Sequence, residues 1–202
     1  MKIINYLSLL SFLVFGCNQG QKVEIVISNI NVIDVKEGKV IHNQDVVIDR
    51  NQIIDIQDHD DHKYQTDQLI NGGGNYLIPG FWDMHVHTQD PDLYSKLYIA
   101  NGITGIRDMG GNDPFTRAAL SDDFKNIAQW REDILKGELL GPRVIAARSI
   151  IDGPPGFWPA LKVVSNEKEA IATVQADKQA GADFIKVYSL LREREFKAVA
   201  EE

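Results

Sequence analysis

One cysteine, Cys17, is all the thiol that 202 residues contain, so no disulfide can form within the chain. Basic residues are also in the minority: Lys plus Arg number 21 against 29 Asp plus Glu, a formal net charge of -8. No basic block stands ready to neutralise a run of phosphates, which argues against nucleic acid as a partner. The longest apolar stretch, Ile3 to Phe15, falls short of the ~20 residues that a membrane-spanning helix needs. Gly72-Gly73-Gly74 lacks both the Gly-Lys-Ser/Thr ending and the Gly-x-Gly-x-x-Gly spacing of phosphate loops, and is expected to be a flexible join. Histidine is scarce as well, five in all, so where the histidines stand is informative.

Two of them close the run Tyr76-Leu-Ile-Pro-Gly-Phe-Trp-Asp-Met-His85-Val-His87. Proline cannot sit inside a central strand, so a strand is expected from Phe81 to His87. Residues i and i+2 of a strand share a face, which predicts Asp83, His85 and His87 on one side with Met84 and Val86 on the other. Two ring nitrogens would then converge with a carboxylate behind them, the start of a metal site. On these residues alone a polar layer or a surface position stays open for the same pair.

The first sixteen residues, 1–16, read as an export signal, with Lys2 as a minimal positive region before the apolar stretch. Val14-Phe15-Gly16-Cys17 resembles the lipobox of bacterial lipoproteins, departing from it at Val14 and Phe15. Acylation would give Cys17 a purpose and hold the protein on a membrane through its lipid, since an acidic body gains nothing from an anionic surface. The expected location is the bacterial cell envelope, as an exported, membrane-anchored lipoprotein.

From Val23 to Gln57 short β-rich runs alternate with turn residues: Val23 to Ser28, Asn31 to Val35, Lys39 to His42, Asp45 to Ile48 and Gln52 to Gln57. They predict an antiparallel layer, part of a small β-sandwich domain over 17–77. Asp58-His-Asp-Asp-His62 has no flanking apolar pattern to fix its side chains and is expected to be a solvated loop. Over 78–202 strands and helices alternate. Strands are expected at Gly105 to Met109, Arg143 to Ala147 and Asp183 to Ser189, after the one that ends at His87. Helical patterns cover Asp92 to Asn101, Phe115 to Lys136, Glu167 to Ala180 and Glu193 to Glu202. Such alternation implies a parallel sheet, so the fold class is α/β: a partial TIM-type barrel of about four βα units preceded by part of a β-sandwich domain.

The last of these strands sets Phe184, Lys186 and Tyr188 on one face and Ile185 and Val187 on the other. With the Ile/Val face against the helices, Lys186 turns inward, where burial favours the neutral amine that reacts with carbon dioxide to give a carbamate. A lysine that snorkels to the barrel mouth fits the strand equally well. Tyr188 would donate to a substrate carbonyl or simply pack. Gly153-Pro-Pro-Gly-Phe-Trp158 would wall a pocket or fold on itself, and Arg107 with Asp108 would form an ion pair at the rim.

Five stretches in order resemble the metal-dependent amidohydrolase superfamily, closest to its imidazolonepropionase-like and Xaa-Pro dipeptidase-like branch. They are Leu77 to His87, Gly102-Ile-Thr-Gly-Ile-Arg-Asp-Met-Gly-Gly111, Gly141 to Ala147, Ile151-Asp-Gly-Pro-Pro155 and Gly181-Ala-Asp-Phe-Ile-Lys-Val-Tyr188. The resemblance implies hydrolysis of an amide, peptide or lactam carbon–nitrogen bond by water activated at a metal pair. His85 and His87 would hold one ion and carboxylated Lys186 would bridge to a second, with Asp83 either orienting a ligand histidine or capping the strand. Divalent metal is the implied cofactor, two zinc ions in the full-length enzyme, although iron or manganese suit the same donors. The implied substrate is a small molecule or peptide.

The superfamily also needs two later histidines and a catalytic aspartate, and no His or Asp follows Asp183. From Ile78 onward the chain holds about half of the roughly 250 residues of a complete barrel. It is therefore expected to be the N-terminal portion of an enzyme, inactive alone and poorly soluble or a homo-oligomer, because half a barrel leaves edges uncovered. The competing expectation is a non-catalytic lipoprotein whose decayed barrel binds or scaffolds.

Overall fold

The computed structural model describes residues 20–59, 63–88, 90–110, 127–157 and 161–202. Cys17 and the signal segment, residues 60–62, Trp158 and the first part of the 115–136 stretch lie outside them. Two compact units divide at Pro79 and Gly80.

The first unit carries two short parallel strands, β1 (Gln21–Lys22) and β5 (Tyr64–Gln65), and a five-stranded sheet. In that sheet β2 (Ile25–Asp34), β3 (Lys39–Asp49) and β4 (Gln52–Asp58) run antiparallel, while β6 (Gln68–Asn71) and β7 (Tyr76–Leu77) join β2 in parallel. The sheet is thus mixed rather than wholly antiparallel. The breaks expected near Ser28 and His42 are not turns. They are irregularities inside long strands, where Asn29 and Asn43 take φ of 53° and 54°, a region in which asparagine is favoured. Arg50 and Asn51, φ 47° and 61°, close the β3–β4 hairpin, as a two-residue turn of matching twist requires. The unit's core is small: Val23, Val26 and Val47, with Tyr64 packed against them.

Gly72 is not part of a flexible join. Its N–H donates to Ser28 O at 2.6 Å, Gly74 N–H donates to Asn29 O at 2.8 Å, and a Cβ on Gly72 would collide with Ile30. His59, from the expected solvated loop, is also held: its Nδ1 lies 2.7 Å from the buried carboxylate of Asp45.

The second unit alternates strand and helix. It runs β8 (Phe81–Val86), α1 (Pro91–Ala100), β9 (Ile103–Asp108), α2 (Ile127–Leu135), β10 (Arg143–Asp152), β11 (Lys162–Val163), α3 (Glu167–Gln179), β12 (Phe184–Val187) and α4 (Glu193–Glu201). Every pairing is parallel, β8 to β9 to β10 and then β10 to both β11 and β12. Local sequence sets the boundaries. Asp90 caps α1 by accepting from Leu93 N–H with Pro91 in the first turn, and Asn166 caps α3 by accepting from Glu169 N–H. Gly102 and Gly181, φ 74° and 88°, end α1 and α3 where glycine is needed to leave a helix.

Helices cover one side of this sheet in two apolar clusters. Val86, Ile106, Ile127, Trp130, Val144 and Ala146 form the first; Ile151, Val164, Ala170, Val174, Ala198 and Val199 form the second. Arg131 grips Asp183 through two hydrogen bonds of 2.9 and 3.1 Å, and the same carboxylate accepts Ala146 N–H at 2.8 Å, tying α2 to the starts of β10 and β12. This is the layering of a (β/α) barrel, which places the C-terminal strand ends together as the side where loops carry chemistry.

Candidate active site at the C-terminal strand ends

β8 does not keep strict alternation. Asp83 pairs with Ile106 and Val86 with Asp108, so β8 spends three steps where β9 spends two. One extra residue in a strand reverses the facing of what lies beyond it. Asp83 therefore sits on the helix side with Val86 and Ile106, whereas His85 and His87, flanking Val86, point to the other side. The expected shared face of Asp83 and the two histidines is not formed. Asp83 Oδ1 instead accepts the backbone N–H of His85 at 3.1 Å, fixing the main chain at the bulge rather than an imidazole ring. Burial raises the Tyr98 hydroxyl above the ordinary phenol range, and the charges of Asp83 and Asp108 push the same way, as expected for carboxylates on the α1 side.

The imidazoles of His85 and His87 are exposed, with ring centroids 5.5 Å apart and planes tilted by 57°. Two imidazoles that share one ion through nitrogens about 2.0–2.1 Å away have ring centres roughly 5–5.5 Å apart at tetrahedral to trigonal angles. The pair thus fits two nitrogen positions on a single ion. Among the described residues no three His, Cys, Asp or Glu side chains form a metal-holding group.

Lys186 lies in the same row of strand ends as His87. A Cβ on Gly110 would lie 2.9 Å from His87 Nδ1 and 3.6 Å from Ile150 Cδ1, and Ile150 is the register partner of Lys186. His87, Gly110, Ile150 and Lys186 thus form one row across the ends of β8, β9, β10 and β12. Lys186 is half-buried, and its Nζ stands 5.9 Å from the centre of the Tyr188 ring. That is the outer limit of a cation–π contact. Tyr188 is exposed and lies beside the lysine.

Two further carboxylates hold the strand ends. Asp108 and Asp152 are fully buried, at the last positions of β9 and β10. Asp108 accepts the N–H groups of Thr88 and Gly110; Asp152 accepts Leu190 N–H at 2.7 Å, pinning the chain that leaves β12. The rim ion pair expected of Arg107 and Asp108 is replaced by these contacts, because neighbours in a strand face opposite ways. Arg107 donates to Met84 O at 2.7 Å and its guanidinium lies over the Phe184 ring. Strand β10 runs five residues past its expected end at Ala147, which is why Asp152 escaped the sequence pattern. Gly153-Pro-Pro-Gly156 turns back on itself, Gly156 N–H donating to Gly153 O, and Phe157 is left exposed.

No protein-family model matches the chain. It is similar to a dihydroorotase from Carboxydothermus hydrogenoformans, 37% identical over 117 residues, which covers 54% of this chain and 25% of that protein. An adenine deaminase from Listeria welshimeri is 28% identical over 90 residues, 43% of this chain and 15% of its own length. Among solved structures, a prolidase complexed with N-methylphosphonate-L-proline superposes with a TM-score of 0.69 at 20% identity, over 88% of this chain and 53% of that one. The matched regions thus span a quarter or less of those two curated relatives and about half of the solved structure. The chain has the fold of prolidase-like amidohydrolases over the part of them that it spans, and part of it is similar in sequence to dihydroorotase and adenine deaminase.

Proposed function

We propose that this chain supplies the histidine pair and the bridging lysine of a site that hydrolyses carbon–nitrogen bonds. The observation that carries the proposal is the 5.5 Å pairing of the His85 and His87 rings, set at the strand ends in the same row as Lys186. The curated relatives and the prolidase-like folds support the reaction class, since dihydroorotase, adenine deaminase and prolidase all act on carbon–nitrogen bonds. His85 and His87 would hold a divalent ion through neutral nitrogens, and Lys186, once carboxylated, would add oxygen donors and bridge to a second. A bound divalent ion would activate water and polarise the scissile carbonyl. Tyr188 stands where its hydroxyl can orient that carbonyl, and Asp83 keeps the His85 backbone in place.

Metal analysis tests the ligand set. In the full-length protein, wild type should hold close to two divalent ions per chain and Lys186→Ala no more than one, with loss of hydrolysis of dipeptide, lactam or acylated amino acid substrates. Equal binuclear occupancy in both would remove Lys186 from the site. The N-terminal segment is read in the same way, as a lipid anchor on Cys17 that places the protein on the cell envelope. Labelled fatty acid should enter the wild-type protein and not Cys17→Ser, which should leave the membrane fraction; equal labelling would remove the anchor. Among the described residues no helix is long and apolar enough to cross a membrane.

A further inference from the structure

We infer that Asp108 is a positioning residue that aims the His87 imidazole, with Gly110 as the surface on which the ring rests. This deepens the proposed function and rests on His87 being a ligand. The carboxylate of Asp108 is fully buried at the end of β9 and reaches in two directions. Its Oδ2 accepts the N–H of Thr88, the residue after His87, at 3.0 Å, and its Oδ1 accepts the N–H of Gly110 at 3.1 Å. The residue before His87 is held as well, because Val86 O accepts Met109 N–H at 2.8 Å. His87 is thus fastened to β9 on both sides along the backbone.

The ring is placed by the same clamp. Gly110 has no side chain, and a Cβ there would stand 2.9 Å from His87 Nδ1, closer than a real contact permits. The imidazole occupies the space that glycine leaves open, and the backbone of that glycine is fixed by the carboxylate that fixes Thr88. A buried carboxylate is tolerated only when hydrogen-bonded, and its bonds to N–H groups are stronger than those between neutral partners. One side chain therefore sets both the direction of the ring and the floor beneath it. Asp83, which caps the backbone of His85, has no such hold on His87.

The test uses the full-length protein as wild type, Asp108→Ala, Asp108→Asn, Gly110→Ala and, as a control, Asp177→Ala. Asp177 is also buried and also accepts a backbone N–H, that of Ser149, but far along the sequence from His87 and on the α3 side. Two readouts are taken: Co²⁺ affinity by titration, and, without metal, the rotamer order of each histidine ring by NMR couplings on histidine-labelled protein. Asp108→Ala should weaken Co²⁺ binding about 10–100-fold and let the His87 ring average between rotamers while His85 stays as it was. Asp108→Asn, which keeps one acceptor oxygen, should fall between. Gly110→Ala should displace the ring with the clamp still present, and it carries the test if Asp108→Ala does not fold. Asp177→Ala should lower the melting temperature and move neither readout.

The inference is overturned if the His87 ring keeps one rotamer in the Asp108 and Gly110 variants and Co²⁺ affinity stays within about threefold of wild type. Loss of ring order in those variants beside a wild type that binds no Co²⁺ would uphold the clamp and refute His87 as a ligand.

Discussion

Replacing Trp130 with alanine should lower the stability of the second unit by about 3–5 kcal/mol, the range for truncating a large buried aromatic side chain. Trp130 is fully buried and lies at the centre of the cluster formed by Val86, Ile106, Ile127, Val144 and Ala146, so it joins α2 to three strands at once. Its indole N–H donates to Ser95 Oγ at 2.8 Å, and Ser95 on α1 is fully buried too. Truncation would leave both a cavity and an orphaned hydroxyl. Against a total of about 5–15 kcal/mol for a domain, such a loss brings the unit near its unfolding threshold. Trp130→Phe keeps a six-membered aromatic ring and loses the pyrrole ring with its hydrogen bond, so it should cost less, about 1–3 kcal/mol. Urea unfolding followed by circular dichroism separates the two, and a Trp130→Ala midpoint equal to wild type would show that this cluster does not hold the unit together. Val86 ties the outcome to the candidate site, since it belongs to the same cluster and stands between His85 and His87 in the chain.

The alternation of the second unit was legible because each element there carries its own signal. Apolar runs mark β9, β10 and β12, glycine ends α1 and α3, and Asp90 and Asn166 start them. Lys186 between Ile185 and Val187 was legible for the same reason, a period-two pattern with one exception in it. What escaped the sequence was decided by pairing. The bulge in β8 moves Asp83 to the helix side, and nothing in Phe-Trp-Asp-Met-His-Val announces it, because a bulge is defined by the strand alongside. Asn29 and Asn43 resemble turn residues, yet they sit as irregular points inside β2 and β3, where the neighbouring strand carries the ladder past them. In the sequence Asp108 stands beside Arg107, which suggests half of an ion pair. Its actual partners, Thr88 and Gly110 N–H, include one twenty residues away that only the parallel register brings near.

Removing either imidazole should have the largest effect on metal binding. A structural zinc site of four ligands is worth about 10–16 kcal/mol, roughly 3 kcal/mol for each ligand. At 1.4 kcal/mol per tenfold, His85→Ala or His87→Ala should weaken Zn²⁺ or Co²⁺ binding by about 100-fold. The double variant should show no uptake above that of exposed surface carboxylates. Asp83→Asn serves as the contrast, since an amide oxygen can still accept the His85 N–H and the side chain does not face the rings. Its effect should stay below about tenfold, at the lower end of what outer partners of metal ligands exert. Competition against a chromophoric chelator measures wild type and the four variants on one scale. Equal affinity of wild type and the double variant would place any bound ion elsewhere and leave the 5.5 Å pairing as packing alone. A loss in Asp83→Asn as large as that in His85→Ala would instead show that the bulge, through the backbone of His85, decides where the imidazole points.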